Sequence, residues 1–226
     1  QLARQKLFQA RQKLEELIHH GADAEREIEI ITTVDQNVVS GIRRVIKETA
    51  ATDVVLGISP KSSFSNVLFG NLMQHLMNST NQLLFFYSAG LPLYAHKQLQ
   101  IICPPHSDKE YGFPNWLRKL GMLAGNLNIP GTFYSNRNTL EAIRQTLDQL
   151  KINGDFLFRE ANISEEIGQI SKSFTPSDLI LFIQPRRGSV SSFPSEFRNL
   201  TGIMDGEKSD CSYLIISPNH PDPVIE

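Results

Sequence analysis

The sequence predicts an α/β protein built on parallel sheets, and three observations carry that prediction. Short apolar runs rich in β-branched residues recur along the chain, each bounded by turn residues. Between them lie stretches with apolar residues at three- and four-residue spacing, the pattern of an amphipathic helix. Strand and helix alternate almost throughout, which calls for parallel pairing through right-handed crossovers. At 226 residues and 40% hydrophobic, the chain is large enough for one or two domains with real cores. A net charge of −2 argues against a nucleic-acid partner. No run approaches the roughly 20 apolar residues of a membrane span, and no signal peptide is visible.

In order along the chain, residues 2–20 carry Ala3, Leu7, Ala10, Leu14, Leu17 and Ile18 on one helical face, with Gly21 placed to close the helix. The first turn holds Arg4 and Lys6 and no acid, a poor helix start. With Gln1 in place of Met, this reads as a segment cut from a longer chain. Glu27–Val34 reads as a strand, and Asp35 as the N-cap of a helix that turns Val38, Ile42, Val45 and Ile46 inward. Asp53–Ile58 is a strand with the profile of one buried on both faces, stopped by Pro60. Ser62, Ser63 and Ser65 are helix-cap candidates ahead of Phe64, Leu68, Leu72 and Leu76, and Leu83–Tyr87 is the next strand. This βαβ unit is the stretch on which the chain turns, because its loop is where such folds bind anions.

Ser88-Ala-Gly-Leu-Pro92 breaks the pattern, so a domain boundary is expected around 88–97, dividing 1–90 from 91–226. Beyond it, strands are expected at 99–103, 132–135, 155–158, 178–183 and 212–217. Helices are expected around 113–127, 140–150 and 163–174, the last capped by Asn162 or Ser164. Residues 186–207 read as loop, with at most a short helix near Ser195–Leu200, and a Pro-rich tail follows Pro218.

The two halves repeat each other. Thr52–Lys61 matches Ser177–Arg186 in character at every position except Gly57, which faces Phe182. Three elements of the second copy, at 99–103, 113–127 and 132–135, have no counterpart in the first. A parallel sheet without them would expose apolar edges, so their counterparts are expected upstream of Gln1.

On these residues the chain resembles the universal stress protein family, which implies two tandem Rossmann-type parallel sheets related to the adenine nucleotide α-hydrolases, the first truncated. The family's nucleotide motif is Gly, two residues, Gly, nine residues, then Gly and Ser/Thr. Here those positions read Gly57, Pro60, Gly70 and Asn71. Where the family's ATP-binding members carry an Asp after the first strand, the second copy reads Cys103-Pro-Pro-His106. Proline removes a backbone N–H and adds a ring where phosphates need close approach. The resemblance thus implies a weakened nucleotide site at Gly57, Ser62, Ser63, Ser65, Gly70 and Asn71, with ATP, AMP or another nucleotide as ligand. In the second copy it implies little or no binding. The opening Ile102–Phe113 is similar to the cytoplasmic C-terminal region of bacterial sodium or potassium/proton antiporters. That likeness implies a non-catalytic regulatory domain on the cytoplasmic face of the inner membrane, with the transport domain of the same polypeptide as partner. A freestanding tandem stress protein that binds adenine nucleotide is the alternative.

Each candidate residue has a plainer reading. The serines cap a helix as readily as they hold phosphate. His19-His20 suit a pH sensor or the last turn of a helix, and His75 suits a partly buried helix position. His106, Asp108 and Glu110 are too loosely spaced for a strong metal signal. Arg43-Arg44, Arg118-Lys119 and Arg186-Arg187 read as solvated edges. Cys103 and Cys211 read as buried thiols, with no base at catalytic spacing. Trp116 reads as core or interface. The last strand of each copy, Leu83–Tyr87 and Tyr213–Ser217, is a candidate pairing edge. The halves are expected to meet there as an intramolecular pseudo-dimer, with a homodimer as the other way of covering it.

Overall fold

The computed structural model describes residues 2–21, 28–58, 67–191, 208 and 210–221. The chain divides into two compact units, Gln1–Glu48 and Thr49–Glu226. The first unit holds α1 (Leu2–Gly21) and most of α2 (Val38–Thr49). The strand expected at Glu27–Val34 is not formed in its described part, residues 28–34. Ile28, Ile31 and Val34 are 51%, 41% and 59% exposed. Alternation supplies a face but no neighbour, and a strand exists only through hydrogen bonds to another. The N-cap of α2 is Asn37 and not Asp35: Asn37 Oδ1 accepts from the Ser40 backbone N–H at 2.9 Å. Asp35 lies too far ahead to reach that N–H and instead accepts from Gln36 N–H at 2.7 Å. Gly41 and Ile46 are buried and Ile42 and Val45 half-buried, whereas Val38, expected inward, is exposed.

The second unit is organised by one seven-stranded sheet. Its strands are β1 (Asp53–Ile58), β2 (Leu83–Ser88), β3 (Gln98–Ile102), β4 (Gly131–Ser135), β5 (Phe156–Glu160), β6 (Asp178–Ile183) and β7 (Ser212–Ser217), in the spatial order β1-β2-β7-β6-β3-β4-β5. The helices between them are α3 (Val67–Ser79), α4 (Phe113–Leu127), α5 (Arg137–Gln149) and α6 (Ile163–Ile170). All neighbouring strands are parallel except β2 and β7. Two separate parallel sheets were expected. The structure corrects this to one, because the two candidate edges pair antiparallel, Leu84–Ser88 against Tyr213–Ser217. An apolar strand edge carries unmet N–H and C=O groups, and each of these edges satisfies the other's. The boundary expected at 88–97 runs within the second unit, where it carries a 3-10 turn, Leu93–Ala95, and joins β2 to β3.

Registered pairs draw a continuous row across the sheet: Gly57, Tyr87, Leu214, Leu181, Ile101, Phe133 and Phe158. The row ends in stacked rings, with Phe133 and Phe158 5.5 Å apart and nearly parallel, and Arg144 over Phe158 at 4.6 Å. Trp116, Leu117 and Leu120 of α4 and Ile143 and Leu147 of α5 cover this face in one apolar cluster. Successive residues point to opposite faces, and in β6 and β7 every residue is buried. Trp116 is thus a core residue, 0% exposed and edge-on to Phe113.

Strand β1 departs from expectation. Its sequence reads as doubly buried, but among the described residues it is an edge strand paired with β2 alone, and Val55 is 70% exposed. The apolar run records what β1 can bury. Whether it does so depends on neighbours.

Candidate functional site

In an open parallel sheet, ligands bind beyond the C-terminal strand ends, at the point where strand order reverses. Here the chain runs from β3 outward through β4 to β5, then returns to β6 on the other side of β3. The candidate site therefore lies between the loop after β3, residues 103–112, and the loop after β6, of which residues 184–191 are described.

These two loops are tied to each other. Glu110 Oε1 accepts from the Ser191 backbone N–H at 2.9 Å and from Ser191 Oγ at 2.6 Å. The turn that brings Ser191 round contains Gly188 at φ 83°, a left-handed position that suits glycine, and is closed by Ser189 N–H to Arg186 O at 3.1 Å. On the other loop, His106 adopts φ 67° and its N–H donates to Thr139 Oγ1 at 3.0 Å. Thr139 Oγ1 donates onward to Asp108 Oδ1 at 3.1 Å, and Lys109 Nζ pairs with Asp108 at 3.0 Å.

Binding phosphate at such a crevice needs free backbone N–H groups. Most of those in the loop after β3 are committed. Cys103 N–H donates to Tyr134 O, Ser107 N–H to Pro104 O, Lys109 N–H to His106 O and Glu110 N–H to Ser107 O. Pro104, Pro105 and Pro185 have no N–H at all. After β6, Gln184 N–H is held by Ile216 O. The carboxylates of Asp108 and Glu110 add negative charge at the same place. Donors turned inward and two acids are poorly suited to an anion.

Arg186 holds the neighbouring region together. The residue is 2% exposed, and its guanidinium donates to four backbone carbonyls, those of Met77, Thr80, Gln82 and Pro218. Met77 lies in the last turn of α3 and Thr80 just beyond it, so a cation at the negative helix end satisfies carbonyls the helix cannot. Burial pushes the Arg186 pKa down to about 10, still well above neutrality, so the charge is retained at pH 7. The pair Arg186-Arg187 was expected to be solvated. This correction had no sequence signal, since a buried clamp and a loop arginine look alike in one dimension. In the sequence Glu110 likewise reads only as a metal candidate, with nothing to mark its bond to Ser191. Lys119, from another pair read as solvated, reaches Asp53 at 2.9 Å.

Of the nucleotide-site candidates, Gly57 is exposed near the end of β1, and a Cβ there would meet nothing within 4 Å. Gly70 lies in the first turn of α3, and Asn71 follows it, exposed. Ser62, Ser63 and Ser65 lie outside the described residues, as does the short helix considered near Ser195–Leu200. His75, expected to be partly buried, is exposed on α3. The side chains of His19 and His20 lie outside the described part of α1. Among the described residues no three His, Cys, Asp or Glu side chains converge, so His106, Asp108 and Glu110 do not form a metal-ligand set. Cys103 and Cys211 are buried free thiols, and burial pushes the pKa of both upward. Among the described residues no helix is long and apolar enough to cross a membrane.

No protein-family model matches the chain, and no curated protein matches it. Solved structures do. The cytoplasmic domain of a prokaryotic cation chloride cotransporter is similar at 14% identity over 84% of this chain and 72% of that one, with a TM-score of 0.54. A functionally unknown protein of Pseudomonas aeruginosa is similar at 10% identity over 93% of this chain and 77% of that one, also with a TM-score of 0.54. A universal stress protein from Archaeoglobus fulgidus matches at 9% identity over 80% of this chain and 66% of its own, but its TM-score of 0.45 carries no weight. At these identities the first two likenesses show a shared α/β fold and nothing finer.

Proposed function

We propose that the chain is a non-catalytic regulatory domain of a membrane sodium or potassium/proton antiporter, made of two universal stress protein-like copies, the first incomplete. It would act at the cytoplasmic face of the bacterial inner membrane, with the transport domain of the same polypeptide as partner. The observation that carries this reading is the state of the switch-point crevice. Glu110 and Ser191 latch its two loops together, and most N–H groups of the β3 loop are turned to the protein's own acceptors. A fold built around a ligand crevice, with the two loops beside it latched by their own side chains, is suited to offering a surface more than a phosphate cradle. The fold shared with a cation cotransporter's cytoplasmic domain is consistent with this.

Regulation requires the domain to bind two transporter states unequally. The test is ion flux in vesicles bearing the whole transporter, with the Glu110–Ser191 latch intact or opened by Glu110→Ala. An altered flux or pH dependence at unchanged transporter amount supports regulation. Flux and pH dependence unchanged from the intact transporter, both in the variant and in a transporter lacking residues 1–226, remove the proposal. A second reading, a freestanding tandem stress protein binding ATP or AMP, is favoured by the glycine spacing Gly57 to Gly70. Titration with nucleotide, read at Gly57, Gly70 and Asn71, separates the two.

A further inference from the structure

The helices on the sheet differ in what they show to solvent. On α5 the exposed side is polar and its charges answer each other, as Arg137 does Glu141 at 3.5 Å. On α6 the first turn carries Glu165 and Glu166. Helix α4 contains no acid, and its exposed side carries Arg118, Lys119 and Met122. Met122 is 55% exposed, and among the described residues of α3 to α6 no other large apolar side chain is left exposed. Two more lie near the first turn of α4: Tyr111, 64% exposed, and Val190, 71% exposed. Each is the chain neighbour of a latched residue, so the Glu110–Ser191 bonds hold both in place there. Arg118, Met122 and Gly125 follow at four- and three-residue spacing, along one side of the helix. Gly121 has a reason inside the fold, since a Cβ there would run into Ile152. Gly125 has none: it is exposed, and a Cβ there would meet nothing within 4 Å. Glycine in a helix costs stability relative to alanine, so its place here is explained by something that comes close from outside.

We infer that the outer side of α4, together with Tyr111 and Val190, is a docking surface for a partner helix that is apolar along one side and acidic beside it. Met122, Tyr111 and Val190 take its apolar residues, and Arg118 and Arg187 pair with its carboxylates. Charge chooses this occupant. Lys109 and Lys119 are engaged by Asp108 and Asp53, at 3.0 and 2.9 Å. Arg118 and Arg187 are exposed and have no ion pair among the described residues. A guanidinium holds a carboxylate through two parallel hydrogen bonds, so each arginine can fix one acid of a helix. An anionic membrane calls for a cluster of roughly four to eight cations, more than stand here. The chain as a whole carries a net charge of −2, which also disfavours such a membrane. A second copy meeting this side about a two-fold axis would bring its own arginines against these. The open space at Gly125 lets a helix axis approach closely.

The test titrates the chain with two helical peptides of about 18 residues, each with Leu along one side and flanked there by Glu in one peptide and by Lys in the other. The Glu peptide is expected to bind saturably and to move the amide resonances of Tyr111, Arg118, Met122 and Val190, and the Lys peptide is not. Met122→Glu and Arg118→Glu each weaken the Glu peptide by about tenfold or more at an unchanged melting temperature, since both side chains are exposed. Arg118→Glu combined with Arg187→Glu reverses the preference toward the Lys peptide. Gly125→Ala raises the melting temperature and weakens the Glu peptide, a split that a glycine serving the fold alone would not show. No saturable binding of the Glu peptide, or equal binding of both peptides, overturns the inference. Binding to phosphatidylglycerol vesicles that displaces the peptide and is lost with Met122→Glu overturns it in favour of a membrane. Self-association lost with Met122→Glu overturns it in favour of a second copy.

Discussion

Strands β1 and β6 are written in nearly the same residues and live in different surroundings. Asp53-Val-Val-Leu-Gly-Ile58 ends the sheet with Val55 70% exposed, while Asp178-Leu-Ile-Leu-Phe-Ile183 is buried at every position between β7 and β3. Hydrophobic content fixes the energy available from burial, and the neighbouring strands and helices decide how much is realised. The largest expected effect tests that contrast. Leu181→Ala, at a site 0% exposed, costs about 2–5 kcal/mol in urea unfolding, whereas Val55→Ala costs under about 0.5 kcal/mol. Equal losses would mean that β1 is covered in solution by something the sheet does not show.

The halves are joined through β2 and β7, and Arg186 is the clamp beside that seam. Arg186→Ala removes the guanidinium donor from four carbonyls and is expected to cost about 3 kcal/mol, with Arg186→Lys recovering part of it. A loss confined to α3 and β2 amides in hydrogen exchange would show that the clamp serves the first half alone.

The smallest effect is in pH. Burial raises the thiol pKa of Cys103 and Cys211, so above the ordinary value of 9.0 the unfolded chain releases protons that the folded chain keeps. Stability from these groups is full below that value and falls as pH rises past it. Native thiols are expected to resist a thiol reagent at pH 8 and both to react in denaturant. Substituting Ser at both positions should flatten the alkaline fall.

Much of the second half was legible. The strand limits of β6 and β7 coincide with the apolar runs at 178–183 and 212–217, and α4 with its leucine spacing. Local pattern determines such elements because each has a full set of neighbours. The pairing of Leu83–Tyr87 with Tyr213–Ser217 was also readable, since two uncharged apolar edges call for cover. What failed was context. The sequence Glu27–Val34 has a strand's alternation, but its described part, residues 28–34, pairs with no strand among the described residues, and β1 has a buried strand's composition at an edge. The Glu110–Ser191 latch and the Arg186 clamp join residues 81 and more than a hundred positions apart, beyond the reach of any spacing rule. Of the candidate nucleotide residues, only Gly57, Gly70 and Asn71 have described positions.

The latched switch point is tested most directly by titrating ATP and AMP into the chain while following backbone amide resonances of residues 103–112 and 184–191. The account predicts no saturable shift at these amides, with Glu110→Ala changing their exchange but creating no nucleotide site. Saturable shifts centred on Cys103–Glu110 and Arg186–Ser191 in the unaltered chain would contradict it.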